Sequence, residues 1–224
     1  MTSNNGGDKG TRNLVIIMVS FIVVVGVVFS LISSRSSTTA AIPASVSAED
    51  GYGIVLNPTA KPTIDVYVDY QCPICKNFEI LNGGYLNEVI AQNRAKVVYH
   101  PMTFIGPESI LAANAAACAA DENEFVGMNL AIFQNQSATE NSGKWQGDAM
   151  LNIGKSIGIK SAKFEKCIKD GNYVKWTGNV AAASAKANVN GTPTIFVNGK
   201  ELDRNTEYGD PVKFKAALAA GGVK

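Results

Sequence analysis

Asp69-Tyr70-Gln71-Cys72-Pro73-Ile74-Cys75-Lys76 is the stretch on which the reading of this 224-residue chain turns. Two cysteines stand two residues apart, directly after the β-branched and aromatic run Thr63-Ile64-Asp65-Val66-Tyr67-Val68-Asp69-Tyr70, which has the composition of a strand. Pro73 suits the first position of a helix, where its missing N–H is no loss. Ile74, Phe78, Leu81, Tyr85 and Val89 continue at helical spacing, with Asn82-Gly83-Gly84 as an expected kink. A Cys-x-x-Cys pair at the start of a helix is compatible with redox chemistry, half a zinc site or a plain buried disulfide.

Working outward, Gly51–Leu56 is a short strand candidate, and Ala95–His100 is the next strand after the helix, stopped by Pro101. A strand–helix–strand crossover makes its two strands parallel neighbours. From Pro107 the pattern changes for about eighty residues. Helices are expected over 108–120, 125–135, 148–157, 161–168 and 173–187, with Ser161 as an N-cap and Gly171 closing its helix. Gly191-Thr192-Pro193 then leads into the strand Thr194-Ile195-Phe196-Val197. Asn198-Gly199 is a hairpin turn, followed by a short strand near 200–202 and a terminal helix over 212–219.

At the N-terminus, residues 14–32 read LVIIMVSFIVVVGVVFSLI, nineteen residues without a charge. As a helix this run covers about 28 Å, close to the hydrocarbon thickness of a bilayer. Lys9 and Arg12 precede it and Arg35 alone follows. The bias predicts a cytoplasmic tail (1–13), a single-pass anchor (14–32) in the cell membrane, and an extracytoplasmic remainder. A long cleavable signal peptide is the alternative. The Ser-, Thr- and Ala-rich residues 33–50 read as a flexible linker. Residues 36–224 carry 17 Lys and Arg against 18 Asp and Glu, with no basic run, so a nucleic-acid partner is not expected.

The whole order, β-α-β, helical block, β-hairpin, α, resembles the DsbA-like branch of the thioredoxin superfamily, in its membrane-anchored Gram-positive or actinobacterial form. The resemblance rests on VYVDYQCPICKNFE (66–79), the helical block with Cys118 and Cys167, and GTPTIFVNGK (191–200). It implies an α/β, thioredoxin-like fold over 51–224 with an inserted helical domain at about 107–188, preceded by one transmembrane helix. It also implies a protein disulfide oxidoreductase that introduces disulfides into exported proteins. Cys72 is the attacking thiol, its ionised form favoured by the helix N-terminus, and Cys75 the resolving one. Thr192 and Pro193, the latter with a cis peptide bond, present backbone to the substrate polypeptide. The known DsbA carries histidine where Ile74 stands, so the site is expected to be oxidising but less extreme.

No cofactor or metal is implied, since the chemistry resides in two sulfurs. The implied partners are reduced exported polypeptides and an integral-membrane, quinone-linked reoxidant, either DsbB-like or vitamin K epoxide reductase-like. A monomer is expected. The alternatives are a membrane-tethered reductase or isomerase of the same fold, as in cytochrome c maturation, and a noncatalytic binding domain. Cys118 and Cys167 fall on predicted helices; they are either buried free thiols or a structural disulfide, and an oxidising compartment favours the bridge. A zinc site would need both of them beside the first pair, with His100 as the chain's one histidine. The buried acid found six residues before the first cysteine in many thioredoxin-like proteins is replaced by Val66. Asp69 reads as a solvated strand-end carboxylate, and His100 as a strand-end residue with a hydrogen-bond partner.

Overall fold

The computed structural model describes residues 40–224. The expected tail, the anchor 14–32 and the first part of the linker, 33–39, lie outside the described residues. Among the described residues no helix is long and apolar enough to cross a membrane.

Strands β1 (Ile54–Leu56), β2 (Thr63–Asp69), β3 (Lys96–Met102), β4 (Thr194–Val197) and β5 (Lys200–Glu201) form one sheet in the order β1-β3-β2-β4-β5. The β2–β3 pair is parallel, with Val66 opposite Tyr99 and Tyr67 opposite His100. Its crossover is α1 (Pro73–Phe78), a π-helical turn Glu79–Gly83 and α2 (Gly84–Ala91). The kink expected at Asn82-Gly83-Gly84 is thus a π-bulge. A Cβ on Gly83 would lie 2.4 Å from Glu79 Oε1, so the wider turn needs a glycine where the carboxyl folds back.

Period-two alternation divides the sheet into two faces. Ile64, Val66, Val68, Val97, Tyr99 and Ile195 point to one side and are buried. In the core, Phe78 stands edge-on to Tyr208 and to Phe214 of α8 (Pro211–Ala220), with ring centroids 5.5 and 5.3 Å apart. Asp65, Tyr67, Asp69, His100 and Phe196 share the opposite face.

Between β3 and β4 lie α3 (Pro107–Ala120), α4 (Phe125–Gln134), α5 (Ala149–Ser156), α6 (Ala162–Asp170) and α7 (Trp176–Lys186). The small residues of α3 allow close approach: Ala112, Ala113 and Ala115–Ala119 are all buried. Ser161 caps α6 by accepting the Phe164 N–H at 3.0 Å, and Gly171 closes it in the left-handed region. Cys118 of α3 and Cys167 of α6 are joined in a disulfide with Cα atoms 5.8 Å apart.

The linker boundary requires correction. Residues 40–50, expected as part of a flexible tether, are folded onto the domain. Val46 bridges Ile54, the Val55 N–H donates to Ser45 O at 2.9 Å, and the Ala44 N–H donates to Asp121 Oδ1 at 3.0 Å. Asp50 pairs with Lys96. These are turns and one isolated bridge, which leave no periodic signature in sequence.

The 49-residue separation of the bridge permits a stability test. On the chain-entropy model, closing a loop of that size stabilises by up to roughly 4 kcal/mol. Cys118→Ala/Cys167→Ala is therefore expected to lose about 2–4 kcal/mol in denaturant unfolding, with reactivity at Cys72 retained.

Candidate active site

Cys72 terminates the segment leaving β2 and is the N-cap of α1, with φ −71° and ψ 118°. The extended cap conformation turns its sulfur back over the first helical turn. Cys72 Sγ accepts the Cys75 N–H at 3.4 Å and lies 3.6 Å from the Thr192 carbonyl oxygen. The first turn of a helix has unpaired N–H groups and the positive end of the dipole, and an anion there gains from both. Thr192–Pro193 is cis. The structure therefore brings Cys72, Cys75, Thr192 and Pro193 together, across 120 residues of sequence. Cys118 and Cys167 are bonded to each other, which leaves neither as a thiolate ligand for a zinc site.

Both thiols of the pair are reduced here, and their environments push their acidities apart. Cys72 is drawn down from 9.0 to about 6, chiefly because the Cys75 thiol donates a hydrogen bond to its sulfur. The N–H groups of Cys75 and Ile74 and the Thr192 side chain assist, against desolvation. Cys75 is fully buried, and its thiol is pushed well up by that burial and by the neighbouring Cys72. One sulfur is thus a thiolate near neutral pH and the other a thiol. Ile74, between the two cysteines, is 64 % exposed.

Asp69 is fully buried. It accepts from Gln71 N–H (2.9 Å), Ile105 N–H (3.1 Å) and Ser109 O–H (2.6 Å). Burial raises its pKa despite those donors. A solvated strand-end carboxylate was the wrong expectation because the helical block closes over the strand end, a long-range event. Val66 is buried apolar surface, as its type requires. His100 pairs through Nε2 with Asp65 Oδ1 at 3.1 Å and stacks on Tyr67 at 4.0 Å. Its partners are on the sheet.

Sequence reasoning missed Glu79. Its carboxyl is 2 % exposed, accepts from Asn129 Nδ2 at 3.1 Å, and is pushed up to about 7 by burial. Asn129 in turn accepts from the Tyr70 hydroxyl at 3.0 Å. The signal available was faint: an acid one helical turn after Cys75, on a face otherwise carrying Phe78. Gln71, Ser109, Gln136 and Asn141, which support the turn before Cys72, gave no motif at all.

A mixed five-stranded sheet, a Cys-x-x-Cys capping the helix after its second strand, and a cis-proline loop beside the sulfur together define a thioredoxin-like site. The chain belongs to the thioredoxin family: that family's model, described as Thioredoxin, matches residues 51–214. It is 26 % identical over 168 residues to "Disulfide bond formation protein D" of Bacillus subtilis, covering 73 % of this chain and 74 % of that protein. It is 27 % identical over 171 residues to "Na(+)/H(+) antiporter NhaA 1" of Mycobacterium sp. strain KMS, covering 74 % of this chain. The chain spans about a quarter of the length of that antiporter, 26 %. Among solved structures it resembles the MdbA protein, a thiol-disulfide oxidoreductase from Actinomyces oris, with TM-score 0.70 at 22 % identity. That match covers 82 % of this chain and 94 % of MdbA.

Glu79 yields a pH prediction with a definite sign. Its folded pKa of about 7 lies above the ordinary 4.5, so the folded state holds a proton that the unfolded chain releases. The associated stability is present below about 4.5 and is lost as pH rises through about 7, on the order of 3 kcal/mol in all. Glu79→Gln, which keeps the acceptor facing Asn129, is expected to abolish that loss. Denaturant unfolding from pH 4.5 to 8 should show the wild type weakening relative to the variant; parallel curves would place the Glu79 titration at an ordinary value.

Proposed function

We propose that the protein is an extracytoplasmic thiol–disulfide oxidoreductase that introduces disulfides into exported polypeptides through Cys72 and Cys75. The observation that carries this reading is the split between the two sulfurs: Cys72 at the helix start with its pKa drawn down to about 6, Cys75 buried with its pKa raised.

The exchange follows from that split. A substrate thiolate attacks the Cys72 sulfur of the oxidised site, forming a mixed disulfide and breaking the Cys72–Cys75 bond. Cys75, whose thiolate is disfavoured by burial, takes up a proton. A second substrate thiolate then attacks its own sulfur in the mixed disulfide, and Cys72 departs as a thiolate. The substrate loses two electrons and two protons. The protein gains two electrons and, near pH 7, one proton, the other passing to solvent. A low-pKa leaving group favours the second step.

Drawing Cys72 from 9.0 to about 6 stabilises the reduced state by about 1.4 kcal/mol at pH 7, or about 30 mV for a two-electron couple. Such a site belongs between thioredoxin, at about −270 mV with a cysteine pKa of about 7, and DsbA, at about −120 mV with a pKa of about 3.5. The Ile74 side chain supplies no charge or hydrogen bond to carry it further.

In this reading Thr192 and Pro193 receive the substrate backbone, and the Cys118–Cys167 bridge is structural. The apolar 14–32 run anchors the chain in the membrane with its N-terminus cytoplasmic. A quinone-linked membrane protein, DsbB-like or vitamin K epoxide reductase-like, restores the disulfide, and the protein acts as a monomer. The likeness to disulfide bond formation protein D, which spans most of both chains, supports the assignment to disulfide formation.

The test is oxidative refolding of a reduced, unfolded multi-cysteine substrate with stoichiometric oxidised protein. Cys72→Ala is expected to abolish disulfide transfer. Reduced Cys75→Ala, incubated instead with the disulfide-bonded form of the substrate, is expected to accumulate a mixed disulfide: the Cys72 thiolate attacks the substrate disulfide, one substrate thiolate departs, and no second active-site thiol resolves the product. Equal refolding with wild type and Cys72→Ala would overturn the proposal.

A further inference from the structure

β2 ends its ladder at Asp69 and α1 begins at Pro73, so the three residues between them carry backbone groups that neither element satisfies. The Cys72 N–H turns back to the Asp69 carbonyl at 3.0 Å, and the Cys72 carbonyl accepts the first helical bond from Lys76 N–H at 3.1 Å. The Tyr70 carbonyl is buried beyond the ladder. It is met from the helical block: Gln136 Nε2 donates to Tyr70 O at 2.7 Å and to Cys72 O at 3.0 Å. Gln136 is itself only 9 % exposed.

One amide group thus uses both hydrogens on carbonyls two residues apart, fixing the backbone torsions between them. Those torsions include the extended φ and ψ of Cys72 that aim its sulfur. The clamp is rigidly mounted. Gln136 follows α4, its N–H donates to Phe133 O at 3.2 Å, and the Phe133 ring packs on Tyr70 with centroids 5.0 Å apart. Beyond it, the Asn141 N–H donates to Gln71 Oε1 at 2.6 Å, while Gln71 Nε2 donates to Ser109 Oγ at 3.0 Å and Asn141 Oδ1 at 3.1 Å. The turn before the reactive cysteine is therefore held from the helical block as well as from Asp69 at the end of its own strand.

We propose that Gln136 is a positioning residue for thiol–disulfide exchange. Its side-chain amide clamps the carbonyls on either side of Gln71 and thereby holds the Cys72 sulfur over the first turn of α1 and against the Thr192 loop. The inference rests on the exchange reading of Cys72 and Cys75, and it adds to it the group that sets the reactive geometry. There is an electrostatic component as well. The Cys72 carbonyl dipole has its negative end on the oxygen, and the donated amide N–H offsets that charge beside a sulfur that must be anionic. The other titratable and charged groups on the packed elements are Cys75 and Lys76 on α1, and Asp69 and the Tyr70 hydroxyl at the end of β2. Further groups are Glu79 against Asn129 of α4, Glu140, which lines the same cavity as Gln136, and Glu108 on α3, which accepts the Trp145 N–H at 2.7 Å. Gln136 donates to none of them.

The test uses the reduced full chain with its Cys118–Cys167 bridge intact, and follows alkylation by iodoacetamide from pH 4 to 9. Gln136→Met keeps the length of the side chain and removes both donors. The alkylation midpoint is expected to rise by about half a unit to one unit, slowing the reaction at pH 5 about three- to tenfold. An unchanged midpoint accompanied by a lower melting temperature would reduce Gln136 to a structural residue and overturn the proposal. Should the variant not fold, the side-chain amide resonances of Gln136 in the unmodified protein decide. They are expected to titrate with the Cys72 midpoint; resonances flat across that range would contradict the clamp. Neither readout needs a substrate polypeptide, so failure of disulfide transfer and failure of the clamp are separable.

Discussion

The reactivity of this protein depends on one cap. Cys72 supplies the side chain that accepts an N–H from the first turn of its own helix, a place ordinarily filled by Ser, Thr, Asp or Asn. With sulfur in that place, the same interaction that ends the helix also favours the thiolate. The rest of the structure makes that cap possible. Parallel pairing of β2 with β3 directs the chain into α1 from the C-terminal end of the central strand, and Pro73 starts the helix without leaving a donor unpaired. The cis Thr192–Pro193 loop closes the other side of the sulfur, and the helical block fills the space that would otherwise admit water to Asp69 and the Tyr70 carbonyl.

Burial then acts in opposite senses on groups a few residues apart. Cys72 remains slightly exposed and gains hydrogen bonds, so its acidity rises. Cys75 and Glu79, one turn apart on the inner face of the same helical segment, lose solvent without equivalent compensation, and both hold their protons more tightly. A nucleophile, a proton-retaining partner and a buried acid thus lie along two turns of backbone. Gly83 gives the last of them room.

Much of this was legible in the sequence because it is local. The strand before Cys72, the helix start at Pro73, the Asn198-Gly199 hairpin and the caps of α6 are each written within a few neighbouring residues. The pairing of the Cys-x-x-Cys with the Thr192-Pro193 loop came through resemblance, and the fold sets them beside one another. What stayed hidden is what depends on distant packing. Asp69 looks like any strand-end acid until α3 supplies Ser109 and the loop before α3 supplies the Ile105 N–H. Gln136 is an unremarked polar residue after a helix until Tyr70 and Cys72 turn their carbonyls toward it. Residues 40–50 carry no periodicity because turns and a single bridge have none, and so their docking on the domain could not be distinguished from a tether.

With Cys72 a thiolate at neutral pH and Cys75 a thiol, the Cys72–Cys75 reduction potential must change its dependence on pH near 6. Equilibration with glutathione from pH 5 to 8.5 should give a slope of about −59 mV per pH unit below about 6, where reduction takes up two protons. Above that point it should give about −30 mV per unit, where reduction takes up one. A single slope of about −59 mV per unit across the whole range would mean that both thiols titrate above pH 8, so that Cys72 is no thiolate at neutral pH.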